Sequence, residues 1–178
     1  MIASLRQLAL AGQCELLYFD ESGFSPNPPL QYGWARIGQS RCVEPQSHQQ
    51  RVNVLGALRH DGELIWVTQQ RSTSRDDVIA FFDHLAERSH PVPCIVVIDN
   101  AAIHKGKVME NKRQEWANHG LYLYYLPPYS PELNRIEILW KQAKYFWRRF
   151  ISLKGMDLLN EVKSVMNRFG PEFTRGFA

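Results

Sequence analysis

The sequence has little from which to build a covalent framework. Its 178 residues include three cysteines, Cys14, Cys42 and Cys94. An odd number with no C-x-x-C pair rules out a disulfide scaffold, so the thiols read as packing residues in a reducing compartment. Long apolar runs are also missing. None approaches the ~18 residues needed to cross a bilayer, and the opening "MIASLRQLALAGQCELL" is too short in its apolar part for a secretory leader. It reads as a helix feeding the first strand. No internal repeat, low-complexity tract or linker breaks the chain, which excludes solenoids and disordered tails. Charge is nearly balanced at +3, so overall polarity names no partner.

What remains is a globular composition, 44% hydrophobic and 12% aromatic, long enough for one domain with a proper core. "ELLYFDESGF" reads as a buried strand ending at Asp20. "QRVNVLGALRHDGELIWVTQQ" holds two alternating runs joined by His60-Asp61-Gly62, a hairpin signal. A short strand is expected around Tyr32 to Ile37. "STSRDDVIAFFDHLAERS" has helical spacing behind a Ser/Thr cap. "PCIVVID" is a second buried strand, ending at Asp99. A helix over 107–119 stops at Gly120, and "LYLYYLP" gives another strand. Two helices follow, over about 134–153 and 156–169. Antiparallel strands first and alternating elements later predict an α/β fold with a mixed sheet and helices on both faces.

Ligands of such sheets gather beyond the carboxyl ends of parallel strands. Asp20 and Asp99 both sit there, where carboxylates are uncommon unless something pairs with them. At 4 Å and an effective dielectric of about 20, two such charges repel by about 4 kcal/mol. Glu137 adds a third, in "LPPYSPELNRIEILWKQAK", where three prolines deliver a helix along a stiff path. A carboxylate cluster is tolerated when it protonates or when hard divalent cations fill it. Each residue also has a plainer reading. Either aspartate serves as a strand-end turn residue. Asn134-Arg135-Ile136-Glu137 has the form of a capping box, and the alternative cap is Ser130 with Pro131 at the first helical position. His104 reads as a surface histidine and Asn100 as a turn cap. Lys141, Lys144 and Arg148 form a basic stripe near Glu137's side of the helix, suited to nucleic-acid phosphates.

Three ordered segments, "YFDESGF", "VIDNAAIHKG" and "LPPYSPELNRIEILWKQAK", together with "GWARIGQ", resemble the DDE transposases of bacterial insertion sequences, in the superfamily that includes the mariner elements. The resemblance covers almost the whole chain. It implies a ribonuclease H-like five-stranded sheet, three strands antiparallel and two parallel. It implies Asp20, Asp99 and Glu137 as catalytic metal ligands, with Asn100, His104 and Asn134 in support. Mg²⁺ or Mn²⁺ is the implied cofactor, as two ions. The implied reaction is cleavage at transposon ends followed by 3′-hydroxyl attack on target DNA at TA sites. DNA is the implied partner of a homodimer in the bacterial cytoplasm, associated with the nucleoid and not with a membrane. Family members usually carry an N-terminal helix-turn-helix. About 15 residues precede the first strand, so residues 1–178 read as one catalytic domain whose DNA reader is absent or separately encoded.

Overall fold

The computed structural model describes residues 1–26, 34–39, 51–88, 90–146 and 155–169. The opening residues form α1 (Ile2–Leu10), which leads into β1 (Glu15–Phe24). The hairpin follows as β2 (Val52–Arg59) and β3 (Leu64–Gln69), turning at Gly62 with φ +99°, a conformation glycine adopts without steric cost. Next come α2 (Arg75–Ala86), β4 (Cys94–Ile98), α3 (Lys107–Asn118) and β5 (Leu121–Tyr125). Among the described residues the last elements are α4 (Ile136–Phe146) and α5 (Gly155–Met166). Of the stretch expected to hold a short strand, Trp34–Gln39 forms none, and Tyr32 lies outside the described residues.

Spatial order in the sheet is β3-β2-β1-β4-β5. The pairs β3·β2 and β2·β1 are antiparallel, whereas β1·β4 and β4·β5 are parallel. This is the mixed five-stranded sheet that the sequence predicts. Strand alternation divides β1 between two cores. Leu16 and Tyr18 join Ile136, Leu139, Trp140, Ala143, Leu158 and Val162 beneath α4 and α5. Leu17 and Phe19 face Val78, Phe82, Met109 and Trp116 of α2 and α3. Helix α2 starts at a full capping box between Ser74 and Asp77, so its entry is fixed locally.

Two boundaries differ from the sequence reading. Strand β1 does not stop at Asp20. Its parallel pairing with β4 ends at Tyr18, but antiparallel pairing with the longer β2 carries it on to Phe24. Helix α4 starts at Ile136 rather than Asn134, because Pro131–Leu133 form a separate 3₁₀ turn and Asn134 is extended.

Gly56 shows how tightly α4 is seated. It pairs with Asp20 across β1·β2. A Cβ added there would lie 2.9 Å from Trp140 Cη2 and 3.3 Å from Ile136 Cδ1. Gly56→Ala is therefore expected to push α4 outward and cost about 1–2 kcal/mol, overpacking outweighing the gain in strand propensity. Urea denaturation checks this, and a neutral result would mean that α4 has slack.

Candidate active site

Where the parallel pairing of β1 with β4 ends lies an open cleft of about 430 Å³, bordered by Asp20, Asp99 and Glu137. Three elements bring these carboxylates together. Asp20 stands in β1 two residues past its last partner in β4, and Asp99 directly follows β4. Glu137 is in the first turn of α4.

The proline-rich lead-in that aims Glu137 is tied down at both ends. Leu126 N–H donates to the Ile98 carbonyl, prolonging the β4·β5 ladder by one bond at 2.8 Å. The Asn100 amide in turn donates to the Leu126 carbonyl. At the far end the buried Asn134 donates its Nδ2–H to the Phe19 carbonyl, 2.9 Å away. Between these anchors Tyr129 takes φ +57° with its ring fully exposed, a backbone region costly for an aromatic residue. Asn134 Oδ1 is buried with no partner, so it caps no amide of α4 and the capping box does not form. Ser130 and Pro131 take the N-cap and first positions of the 3₁₀ turn, but the Ser130 hydroxyl donates to the Pro128 carbonyl and caps no amide.

Strand alternation sends Asp20 and Glu21 to opposite sheet faces, and each meets a different helper. The Trp140 indole N–H donates to Asp20 Oδ2 at 3.1 Å. On the other face His104 is fully buried, not a surface residue. Its Nδ1 lies 2.6 Å from Asp99 Oδ1 and its Nε2 lies 2.9 Å from Glu21 Oε1. Burial opposes charge on this ring, but the hydrogen bonds to Asp99 and Glu21 outweigh it and raise His104 to about 9. It is thus an imidazolium at neutral pH, donating to both carboxylates. The same bond holds Asp99 below the usual carboxylate range, against partial burial. The Ala101 N–H also reaches Asp99 Oδ1, at 2.9 Å.

Asp20 behaves in the opposite way. Burial, then the charge of Glu137, raise it from 3.8 to about 7; Glu21 and Asp99 add smaller repulsions, and a backbone N–H opposes them. An all-oxygen donor set that repels its own ionisation, beside an unpartnered buried amide oxygen, fits a hard divalent cation. Lys141 and Lys144 are exposed on α4, four and seven residues after Glu137 and so near its side of the helix. Arg148 lies outside the described residues. Glu21 and Trp140 are missing from the sequence reading, although alternation from Asp20 and the i+4 spacing from Ile136 place both near the site. No helix among the described residues is long and apolar enough to cross a membrane.

Comparison with known proteins bears on the family and the fold. Residues 15–159 match the family described as DDE superfamily endonuclease. An uncharacterized 39 kDa protein of insertion element IS630 from Shigella sonnei is 25% identical over 158 residues, 88% of this chain and 46% of that protein. Among solved structures, the Mos1 mariner paired end complex with Mn superposes with a TM-score of 0.69 at 14% identity, covering 99% of this chain and 56% of that one. The Mos1 transposase catalytic domain with Raltegravir and Mg gives 0.59 at 11% identity, covering 94% and 75%. At such identities the structural likeness speaks for the fold, which is ribonuclease H-like. The chain spans about half the length of the curated relative it matches.

Proposed function

We propose, for a chain that belongs to the DDE superfamily endonucleases, that it is the catalytic domain of an insertion-element transposase. In this reading it cuts DNA at transposon ends and joins the freed 3′-hydroxyl to target DNA. The observation that supports it best is the convergence of Asp20, Asp99 and Glu137 on one cleft, with Asp20 raised to about 7 by burial and then by the charge of Glu137.

Asp20, Asp99 and Glu137 would hold Mg²⁺ or Mn²⁺, as two ions. When bound, such ions activate water and neutralise charge developing on phosphoryl oxygens. The protein's own part is positional. His104, steadied by Glu21, fixes which oxygen of Asp99 faces the cleft, and Trp140 does the same for Asp20. Asn100 and Asn134 hold the lead-in so that Glu137 stays in register with both. Lys105 at the rim, with Lys141 and Lys144 along α4 and Arg148 from the sequence after it, offers cations to the DNA backbone; phosphate contacts of this kind position a duplex without reading its sequence. Recognition of the terminal repeat then belongs to a helix-turn-helix unit outside this domain, and the active assembly is a dimer on two transposon ends.

A stand-alone nuclease would use the same carboxylates, so the product decides. With Mn²⁺, a labelled duplex ending in a 3′-hydroxyl at the element's terminal repeat, and the helix-turn-helix unit supplied, strand-transfer product is expected in supercoiled target plasmid. Nicking without joining would favour the nuclease. No metal-dependent phosphodiester chemistry at all would sink both readings.

A further inference from the structure

The other end of the sheet holds a second cluster of donor atoms. Glu15 opens β1 and Cys94 opens β4, and the two are register partners. Cys94 packs in the α2-side core with Leu17 and Phe19, and alternation along β1 turns Glu15 to that same face. His90 arrives from the connection between α2 and β4. One carboxylate oxygen, one ring nitrogen and the sulfur lie within 4.8 Å of one another. His90 Nε2 is 2.8 Å from the Leu85 carbonyl, so its N–H is committed there. That leaves Nδ1 turned toward Glu15 Oε2, 2.7 Å away. A ring whose outer N–H is fixed by a backbone carbonyl is the usual posture of a metal-binding imidazole.

The surroundings suit a divalent ion. A recess of about 50 Å³ borders Glu15 and His90, room for one water, which takes ~30 Å³, as a fourth ligand. Arg59 and Arg88 also border it, but both are already paired. Arg59 binds Asp61 and, at 3.0 Å, Glu63. It also lies 4.0 Å from Glu15 Oε1, the longest of its three contacts, which an ion on Glu15 would have to outcompete. Arg88 lies 3.8 Å from Glu63. Two guanidinium charges against Asp61, Glu63 and Glu15 leave −1 before the thiol ionises and −2 after. Burial, then Glu15, push the Cys94 thiol up to about 12, so binding must release a proton and strengthens as pH rises.

We propose that Glu15, His90 and Cys94 form a binding site for a borderline-soft divalent ion of the Zn²⁺ type. The mixed sulfur, nitrogen and oxygen set selects such an ion over Mg²⁺. The site lies roughly 16 Å along β4 from Asp99 and cross-links the starts of β1 and β4 to the connection leaving α2. Seating the ion opens the His90–Glu15 contact to about 3.3 Å, the spacing of two tetrahedral ligands. The competing arrangement is an ordinary imidazolium–carboxylate pair.

Co²⁺ titrated into the metal-free full chain, with Mg²⁺ in excess, distinguishes them. A near-ultraviolet thiolate-to-cobalt band is expected to saturate at one equivalent and to bleach with one equivalent of Zn²⁺. It should persist in Cys14→Ala and in Asp99→Asn, which separates it from the carboxylate cleft and from the transposase reading. It should vanish in Cys94→Ala, and His90→Gln should weaken Co²⁺ on the order of 100-fold. If Cys94→Ala does not fold, His90→Gln with its sulfur intact carries the test. A band absent at one equivalent, or unchanged in His90→Gln, overturns the site and leaves only the ion pair.

Discussion

Glu137→Gln is expected to abolish metal-dependent DNA cleavage, a loss on the order of 10³-fold or more, while the metal-free fold keeps its stability. The substitution preserves volume and helix propensity and removes one negative charge. With Asn134 committed to Phe19, no capping box is lost. Removing the anion from the first turn of α4 forfeits a favourable dipole interaction of about 0.3–1 kcal/mol, and relief from the Asp20 charge offsets it. Net stability should stay within about 0.5 kcal/mol. Plasmid nicking in Mn²⁺ beside urea denaturation without metal reads both quantities. Cleavage at the parental rate would make Glu137 a structural residue and direct the search for a third ligand to Glu132.

Asp20→Asn is expected to stabilise the metal-free protein while destroying its activity. Asp20 titrates near 7 in the folded chain, against 3.8 ordinarily, chiefly through burial and the charge of Glu137. Between about pH 4 and pH 7 the native state thus holds a proton that the unfolded chain lacks. By linkage, stability falls as pH rises through that window, and the penalty is complete above 7. The asparagine keeps an oxygen for the Trp140 N–H and carries no charge, so it escapes the penalty. Allowing for solvent screening, the gain should be about 1–3 kcal/mol at pH 8, shrinking several-fold by pH 5. Saturating Mg²⁺ should raise the melting temperature of the parent more than that of the variant. A variant less stable than the parent at pH 8 would show that Asp20 is not a repelled anion.

The sheet was legible because its signals are local. Buried runs ending at Asp20 and Asp99 and a His-Asp-Gly hairpin each act over a few residues, and the element order then leaves little choice of topology. The lead-in was legible only as stiffness. Its prolines announce an extended path, but the decisive bonds, from Asn100 to Leu126 and from Asn134 to Phe19, join residues 26 and 115 positions apart. A sequence motif carries no record of such pairings. Asn134 illustrates the failure: read locally it is an N-cap, but the Nδ2–H bond to the Phe19 carbonyl fixes the side chain so that its Oδ1 reaches no helix amide. For His104 the residues alone left a surface histidine open beside the supporting role that the resemblance implies, since its two carboxylate partners lie five residues upstream and on β1. The end of β1 was misplaced because only β2, formed some thirty residues later, prolongs it.

The alternation at Asp20 and Glu21 has a consequence for the life of the chain before it is fully folded. One carboxylate is steadied by Trp140 in the core under α4, and the neighbouring residue reaches through His104 to Asp99 beside the core under α2 and α3. A chain with only one of its two helical layers docked lacks either Glu137 or an oriented Asp99. If the cleft cuts DNA as proposed, a nascent, partly unfolded or proteolysed copy is chemically silent. The host genome is then exposed to a nuclease only once both layers have closed over the same strand.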